Sequence, residues 1–148
     1  MAAGRAMPGP STKGRLLARL HEEVWRASRH GLPLALVVIR IRPAATERRL
    51  LSALARMAAL FTRAIVRRND VVGVLDSGEV GLVANTTREG AGALARDIIR
   101  GIQGFEFTHR DRSLAFELSH GVSCLTGQRT AEDLLAEARA ALAANAEA

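Results

Sequence analysis

Six consecutive apolar residues, Leu34 to Ile39, sit between the breaker Gly31-Leu32-Pro33 and Pro43. The run is far short of the roughly 20 residues that cross a bilayer, and it has strand length. Successive strand side chains point to opposite faces, so a strand apolar at every position has no face to give to water. It belongs inside a sheet that is covered on both sides. The run then changes to the alternation Val38-Ile39-Arg40-Ile41-Arg42, which sets Arg40 and Arg42 on one face.

The neighbouring segments supply the cover. Leu16, Leu17, Leu20 and Val24 recur at helical spacing, with Glu22 and Arg26 as an i,i+4 pair on the polar side, and predict a helix over Arg15 to His30. Gly31 and Pro33 stop it. A second helix is expected from Thr46 to Arg68, burying Leu50, Leu54, Met57, Phe61 and Ile65. Asp70 to Leu75 and Glu79 to Asn85 read as a hairpin around Asp76-Ser77-Gly78. Thr86 and Glu89 form a capping-box pattern that opens a third helix to about Ile102, with Leu94, Ala95, Ile98 and Ile102 inward. Strands are expected over Phe105 to His109 and Ser113 to Leu125. Thr130 opens an alanine-rich last helix with Leu134, Leu135, Ala138 and Leu142 inward. This order describes an α+β fold with a mostly antiparallel central sheet flanked by helices. Residues 1–13, rich in Gly, Pro, Ala and Ser, read as a flexible tail or the stub of a linker, and residues 14–148 as one domain.

No stretch is long and apolar enough for a membrane span. Cys124 is the sole cysteine, which excludes an internal disulfide and a multi-cysteine metal site and suits a cytoplasmic location. The net charge of +6 comes almost wholly from arginine, since Lys13 is the one lysine. Such a balance can attract a polyanion, but the arginines are scattered rather than gathered in a block. Aromatic residues at 3% and the lack of a nucleic-acid reading motif argue against nucleic acid as a partner.

Several phrases, in their order and spacing, resemble the GGDEF family of diguanylate cyclases: "RHGLPLALVVIRI", "LLSALARMAALFTRAIVRRNDVV", "LDSGEVGLVANTTREGAGALARDIIRGI", "LSHGVSCL" and "AEDLLAEARAALAANA". The resemblance spans roughly residues 15–146. It implies a palm-like fold related to nucleotidyl cyclases and ferredoxin-like domains, and a chemistry in which divalent cations hold GTP phosphates while two GTP molecules become cyclic di-GMP. On this chain the metal-binding aspartate of the first core strand aligns with Arg40. The signature aligns with Asp76-Ser77-Gly78-Glu79-Val80, where Glu79 alone keeps its register. The guanine-recognising loop is reduced to Pro43-Ala44-Ala45. The resemblance therefore implies a degenerate member with no catalytic residues, no metal and no cofactor, and hence a chain that is not an enzyme.

The same resemblance points to an inhibitory-type Arg-x-x-Asp site five residues before the signature. Arg67-Arg68-Asn69-Asp70 matches it in type and spacing. An arginine fork can take a guanine edge or a phosphate, and an aspartate accepts from guanine N–H groups. Arg67 and Asp70 are the candidate ligand residues, with Arg68, Arg96 and Arg100 as looser ones. The plainer alternative is that Arg67 and Arg68 suit a helix C-terminus and that Asn69 and Asp70 make a turn. The partners expected are cyclic di-GMP, a protein of a signalling pathway, or a second copy in a homodimer. The last two would use the fold as an interaction surface, with Trp25 as an amphipathic anchor. His21 and His30 have no companions at metal-ligand spacing, His109 reads as a solvated residue near a turn, His120 as a packed or edge histidine, and Cys124 as a small buried hydrophobe.

Overall fold

The computed structural model describes residues 12–43, 50–75, 78–104, 108–109, 111–113, 115–127 and 129–146. Residues 1–11 of the tail expected over 1–13, the shortened loop at Ala44-Ala45, the helix start at Thr46 and the hairpin residues Asp76 and Ser77 lie outside them, while Thr12 and Lys13 of that tail cap and open the first helix instead.

Helix α1 spans Lys13–His30 and strand β1 spans Ala35–Pro43. Helix α2, Leu51–Ile65, leads into strands β2, Val71–Val74, and β3, Glu79–Ala84. Helix α3, Arg88–Gln103, is followed by the short pair β4, Thr108–His109, and β5, Arg112–Ser113. Strand β6, Phe116–Cys124, and helix α4, Ala131–Ala146, complete the order. The main sheet runs β2-β3-β1-β6 and every pairing in it is antiparallel. The expected palm-like α+β architecture is therefore present, with the six-residue apolar run at its centre.

That run divides its side chains as its pattern requires. Ala35, Val37, Ile39 and Ile41 enter one core with α2 and α3. Leu36 and Val38 enter another with α1 and α4. Arg40 follows Leu36 and Val38 in parity, so it leaves the sheet on the α1/α4 side. Gly121 of β6 lies against α4 so closely that a Cβ there would stand 2.0 Å from the Ala138 carbonyl oxygen and 2.6 Å from the Leu142 nitrogen. Glycine at this position is what lets the helix backbone rest on the strand.

The structure corrects four local expectations. The buried face of α2 is Leu54, Ala55, Ala58, Ala59, Thr62 and Arg63. Met57 and Ile65, expected inside, are 37% and 46% exposed. Alanines allow the helix to approach the sheet closely, so the larger residues are turned outward although their spacing is also helical. Second, Arg26 pairs with Glu23 rather than Glu22. Third, the N-cap of α3 is Thr87, whose hydroxyl accepts from the Gly90 N–H at 3.2 Å, one residue later than Thr86. Fourth, the strand expected over Ser113 to Leu125 is divided: its start joins the β4–β5 hairpin around Asp111, at φ 63°, and β6 begins at Phe116.

Candidate functional site

Two charged groupings hold most of the residues singled out from the sequence. The first is built on β1, β3 and α4. Arg40 and Glu79 face each other across the β1–β3 ladder, and the Arg40 Nη2 donates to Glu79 Oε2 at 2.8 Å. From α4, Arg139 donates to the other oxygen, Glu79 Oε1, through Nε at 3.0 Å and Nη2 at 2.7 Å. Glu79 is 3% exposed, while both guanidinium groups reach solvent. One buried carboxylate is thus satisfied at both oxygens by two cations. Gly78 precedes it with φ 76°, and a Cβ at this position would meet the Leu51 side chain at 2.4 Å and the Ile41 carbonyl oxygen at 3.1 Å. A side chain at 78 would be strained by the backbone conformation and would have to displace Leu51. Val80 lies in the core.

The second grouping surrounds the turn between α2 and β2. After Ile65 the helix gives way to extended backbone at Val66, φ −91° and ψ 171°. Residues 67–70 then close a turn in which the Asp70 N–H donates to the Arg67 carbonyl at 3.0 Å. The Asp70 carboxylate accepts from the Arg67 N–H at 3.2 Å. Beneath the turn lies Arg63, 7% exposed, whose guanidinium donates to the carbonyls of both Asp70 and Arg67. Burial pushes the Asp70 carboxyl above its ordinary value of 3.8, against the lowering effects of the Arg67 N–H and of the Arg67 and Arg63 charges. Arg67, Arg68 and Asn69 are exposed around this buried aspartate.

The turn forms one wall of a cleft of about 770 Å³. Arg63, Arg68, Asn69 and Asp70 line it from one side, Arg19, Glu23 and Arg26 of α1 from the other. Arg67, Arg96 and Arg100 are not among its lining residues. Arg100 of α3 is exposed beside Asp97 at 3.9 Å, and Arg96 acts on His120, whose pKa is lowered by burial first and by the Arg96 charge second. The structure therefore brings Arg68 and Asp70 to one cleft, leaves Arg67 on the turn outside its lining, and leaves Arg96 and Arg100 elsewhere.

Sequence reasoning missed Arg63, Arg139, Arg19 and Glu23. Arg63 stands four residues before Arg67, the spacing at which a side chain reaches the last carbonyls of its own helix, and Arg19 and Glu23 are an i,i+4 pair. Arg139 carries no local signal, because only the packing of α4 on the sheet brings it to Glu79. Of the remaining residues, His21 pairs with Glu132 of α4 at 3.0 Å. Burial pushes the Cys124 thiol up, as suits a packing role. Trp25 is 64% exposed with the Arg29 guanidinium 4.9 Å from its ring centre.

A sequence model described as "Diguanylate cyclase, GGDEF domain" matches residues 52–148. The chain belongs to the GGDEF family. No curated protein matches it. Among solved structures it is similar to the FimX GGDEF domain from Pseudomonas aeruginosa, with a TM-score of 0.83 at 17% identity, covering 93% of this chain and 90% of that one. It is similar to the active GGEEF domain of a diguanylate cyclase from Vibrio cholerae, with a TM-score of 0.77 at 19% identity over 96% and 92% of the two chains. The GGDEF domain of DgcB from Caulobacter crescentus, in complex with c-di-GMP, gives a TM-score of 0.76 at 11% identity over 96% and 88%. At these identities the neighbours establish the fold.

Family membership corrects the expectation that the chain is not an enzyme: the description that matches is that of diguanylate cyclases, and a neighbour of the same fold is described as active. The family's cations do not fit the Arg40–Glu79–Arg139 grouping as it stands. Both Glu79 oxygens are taken by guanidinium groups, and two fixed cations oppose a third. Among the described residues no group of three His, Cys, Asp or Glu gathers elsewhere to hold a metal. No helix among them is long and apolar enough to cross a membrane.

Proposed function

We propose that this GGDEF domain carries a regulatory binding site for cyclic di-GMP at the Arg67–Asp70 turn. The observation that carries the reading is the build of the turn. Arg63 bonds two of its carbonyls from below and the buried Asp70 carboxylate closes it, so Arg67, Arg68 and Asn69 are presented from a fixed backbone. Pre-ordering lowers the entropic cost of binding. The exposed guanidinium groups can take phosphate oxygens or a guanine edge. The cleft beside the turn has the volume of a small-molecule site and an excess of cationic side chains. The binding of c-di-GMP by the DgcB domain, of the same fold, supports the choice of ligand. The reading keeps the cytoplasmic location that the lone cysteine suggests.

Calorimetry of the full chain against cyclic di-GMP, with GTP as the control, tests the reading. Saturable binding of cyclic di-GMP that is lost in Arg67→Ala and in Asp70→Ala is expected. Absence of binding at roughly 100 μM, a free energy of only about 5 kcal/mol, defeats it.

A second reading, a protein-docking or homodimer surface, is favoured by the exposure of Trp25 and Leu32. Large aromatic side chains dominate interface energetics when covered. Sedimentation of the wild type and Trp25→Ala over a concentration series distinguishes a self-associating surface from an inert one.

A further inference from the structure

The cleft beside the Arg67–Asp70 turn contains its own competitor. Four guanidinium groups line it, those of Arg19, Arg26, Arg63 and Arg68, against the two carboxylates of Glu23 and Asp70. Asp70 is committed to the turn, where it accepts from the Arg67 N–H. Arg63 lies under the same turn, and its Nε–H has no acceptor among the described residues. Glu23 is different. It stands on α1, is largely buried although charged, and is ion-paired to Arg26 through Oε1 and to Arg19 through Oε2 at 3.6 Å. Arg26 also reaches the Asn85 side-chain oxygen at 3.5 Å, while Asn85 donates to the Pro33 carbonyl at 3.2 Å. Arg26 thus has a second contact at the cleft that does not involve Glu23.

A carboxylate and a phosphate diester are alternative acceptors for the same guanidinium donors. An anion entering this cleft meets Arg19 and Arg26 already paired with Glu23, which offsets one of their two charges and repels the anion at close range. We propose that Glu23 is the built-in counter-anion of this cleft: ligand phosphate competes with it for Arg19 and Arg26, so the charge on Glu23 sets the affinity of the site. This rests on the reading of the cleft as a cyclic di-GMP site. It adds that α1, the helix at the opposite wall, takes part in recognition, and that releasing Glu23 from its arginines is how ligand and α1 are coupled.

The test is calorimetry of the full chain and Glu23→Gln, against cyclic di-GMP and, separately, inorganic pyrophosphate. Glutamine keeps the shape and removes the charge, so cyclic di-GMP binding is expected to tighten by about tenfold. In Arg26→Ala the binding weakens, because a cation is lost and the carboxylate stays. Glu23→Ala carries the same expectation as Glu23→Gln and replaces it if the glutamine variant does not fold. Wild type and Glu23→Gln binding cyclic di-GMP with equal affinity, or the variant binding more weakly, overturns the inference and leaves the cyclic di-GMP reading intact. If neither chain binds cyclic di-GMP, that reading fails and pyrophosphate decides the inference. Tighter pyrophosphate binding in Glu23→Gln, lost in Glu23→Gln/Arg26→Ala, sustains it as an anion site; no difference between the chains overturns it.

Discussion

Arg40 and Glu79 are partners twice over: their Cα atoms are in register across the β1–β3 ladder, and their side chains meet at 2.8 Å on the sheet face covered by α1 and α4. Arg139 completes the arrangement from α4. Its energetic meaning follows from burial. A carboxylate removed from water is tolerated when both oxygens are paired, and removing it leaves two cations facing each other at a core edge.

Glu79→Gln is therefore expected to destabilise the chain by about 3 kcal/mol, read as a fall in the urea midpoint at unchanged slope. Replacing the whole grouping, as Arg40→Met/Glu79→Met/Arg139→Met, restores stability to within about 1 kcal/mol of wild type, because no charge is then left unpaired. A triple variant as unstable as Glu79→Gln would show that something other than charge pairing holds α4 at this edge.

Asp70 provides a pH dependence with a definite sign. Burial raises its folded-state value above 3.8, so between 3.8 and the folded value the native chain holds a proton that the unfolded chain has released. Stability attributable to this group rises as pH falls through that window, and the ionised carboxylate costs stability above it. Asp70→Asn keeps an acceptor for the Arg67 N–H and removes the titration. The melting temperature of wild type minus that of Asp70→Asn should increase as pH is lowered from roughly 7 to roughly 4. A difference that is flat in pH would contradict the dominance of desolvation at this site.

The central strand was legible in the sequence because its composition leaves one option: Leu34 to Ile39 is apolar at every position and can sit only where both faces are covered. The hairpin β2–β3 was legible for the same kind of local reason. The face of α2 was not, because Met57 and Ile65 share helical spacing with Leu54, while the deciding factor is the close approach allowed by Ala55, Ala58 and Ala59. In the candidate site, Arg67 and Asp70 stood out through their spacing from the hairpin. The groups that complete the surroundings did not. Glu23 reaches the cleft only when α1 packs beside the turn, and Arg139 reaches Glu79 only when α4 lies on the sheet. Contacts between distant segments leave no periodic trace.

Arg63 is the residue on which the turn depends most directly. Arg63→Met keeps the aliphatic stem in the core and removes the donors to the Arg67 and Asp70 carbonyls. Leaving them without that partner should cost about 2 kcal/mol. Amide exchange at residues 67–70 should accelerate more than exchange in β1, since the loss is local to the turn. Uniform acceleration throughout the sheet would mean that Arg63 supports the whole α2 interface instead.

Gly121 provides the sharpest test of how α4 sits on the sheet. A methyl group at this position would lie 2.0 Å from the Ala138 carbonyl oxygen and 2.6 Å from the Leu142 nitrogen, and both are backbone atoms of a regular helix. No side-chain rotation can relieve that contact, so α4 must lift away. Leu134, Ala138 and Leu142 are its buried contacts with the α1 side of the core, and the Ser123 hydroxyl donates to the Leu134 carbonyl at 2.7 Å. Gly121→Ala should cost about 3 kcal/mol, the upper end for an overpacked core. Because Arg139 rides on the same helix, the variant should also loosen Glu79. Combining Gly121→Ala with Arg139→Ala should then cost less than the sum of the two single changes, a coupling that a double-mutant cycle measures. Strict additivity would show that α4 accommodates the methyl group without moving Arg139.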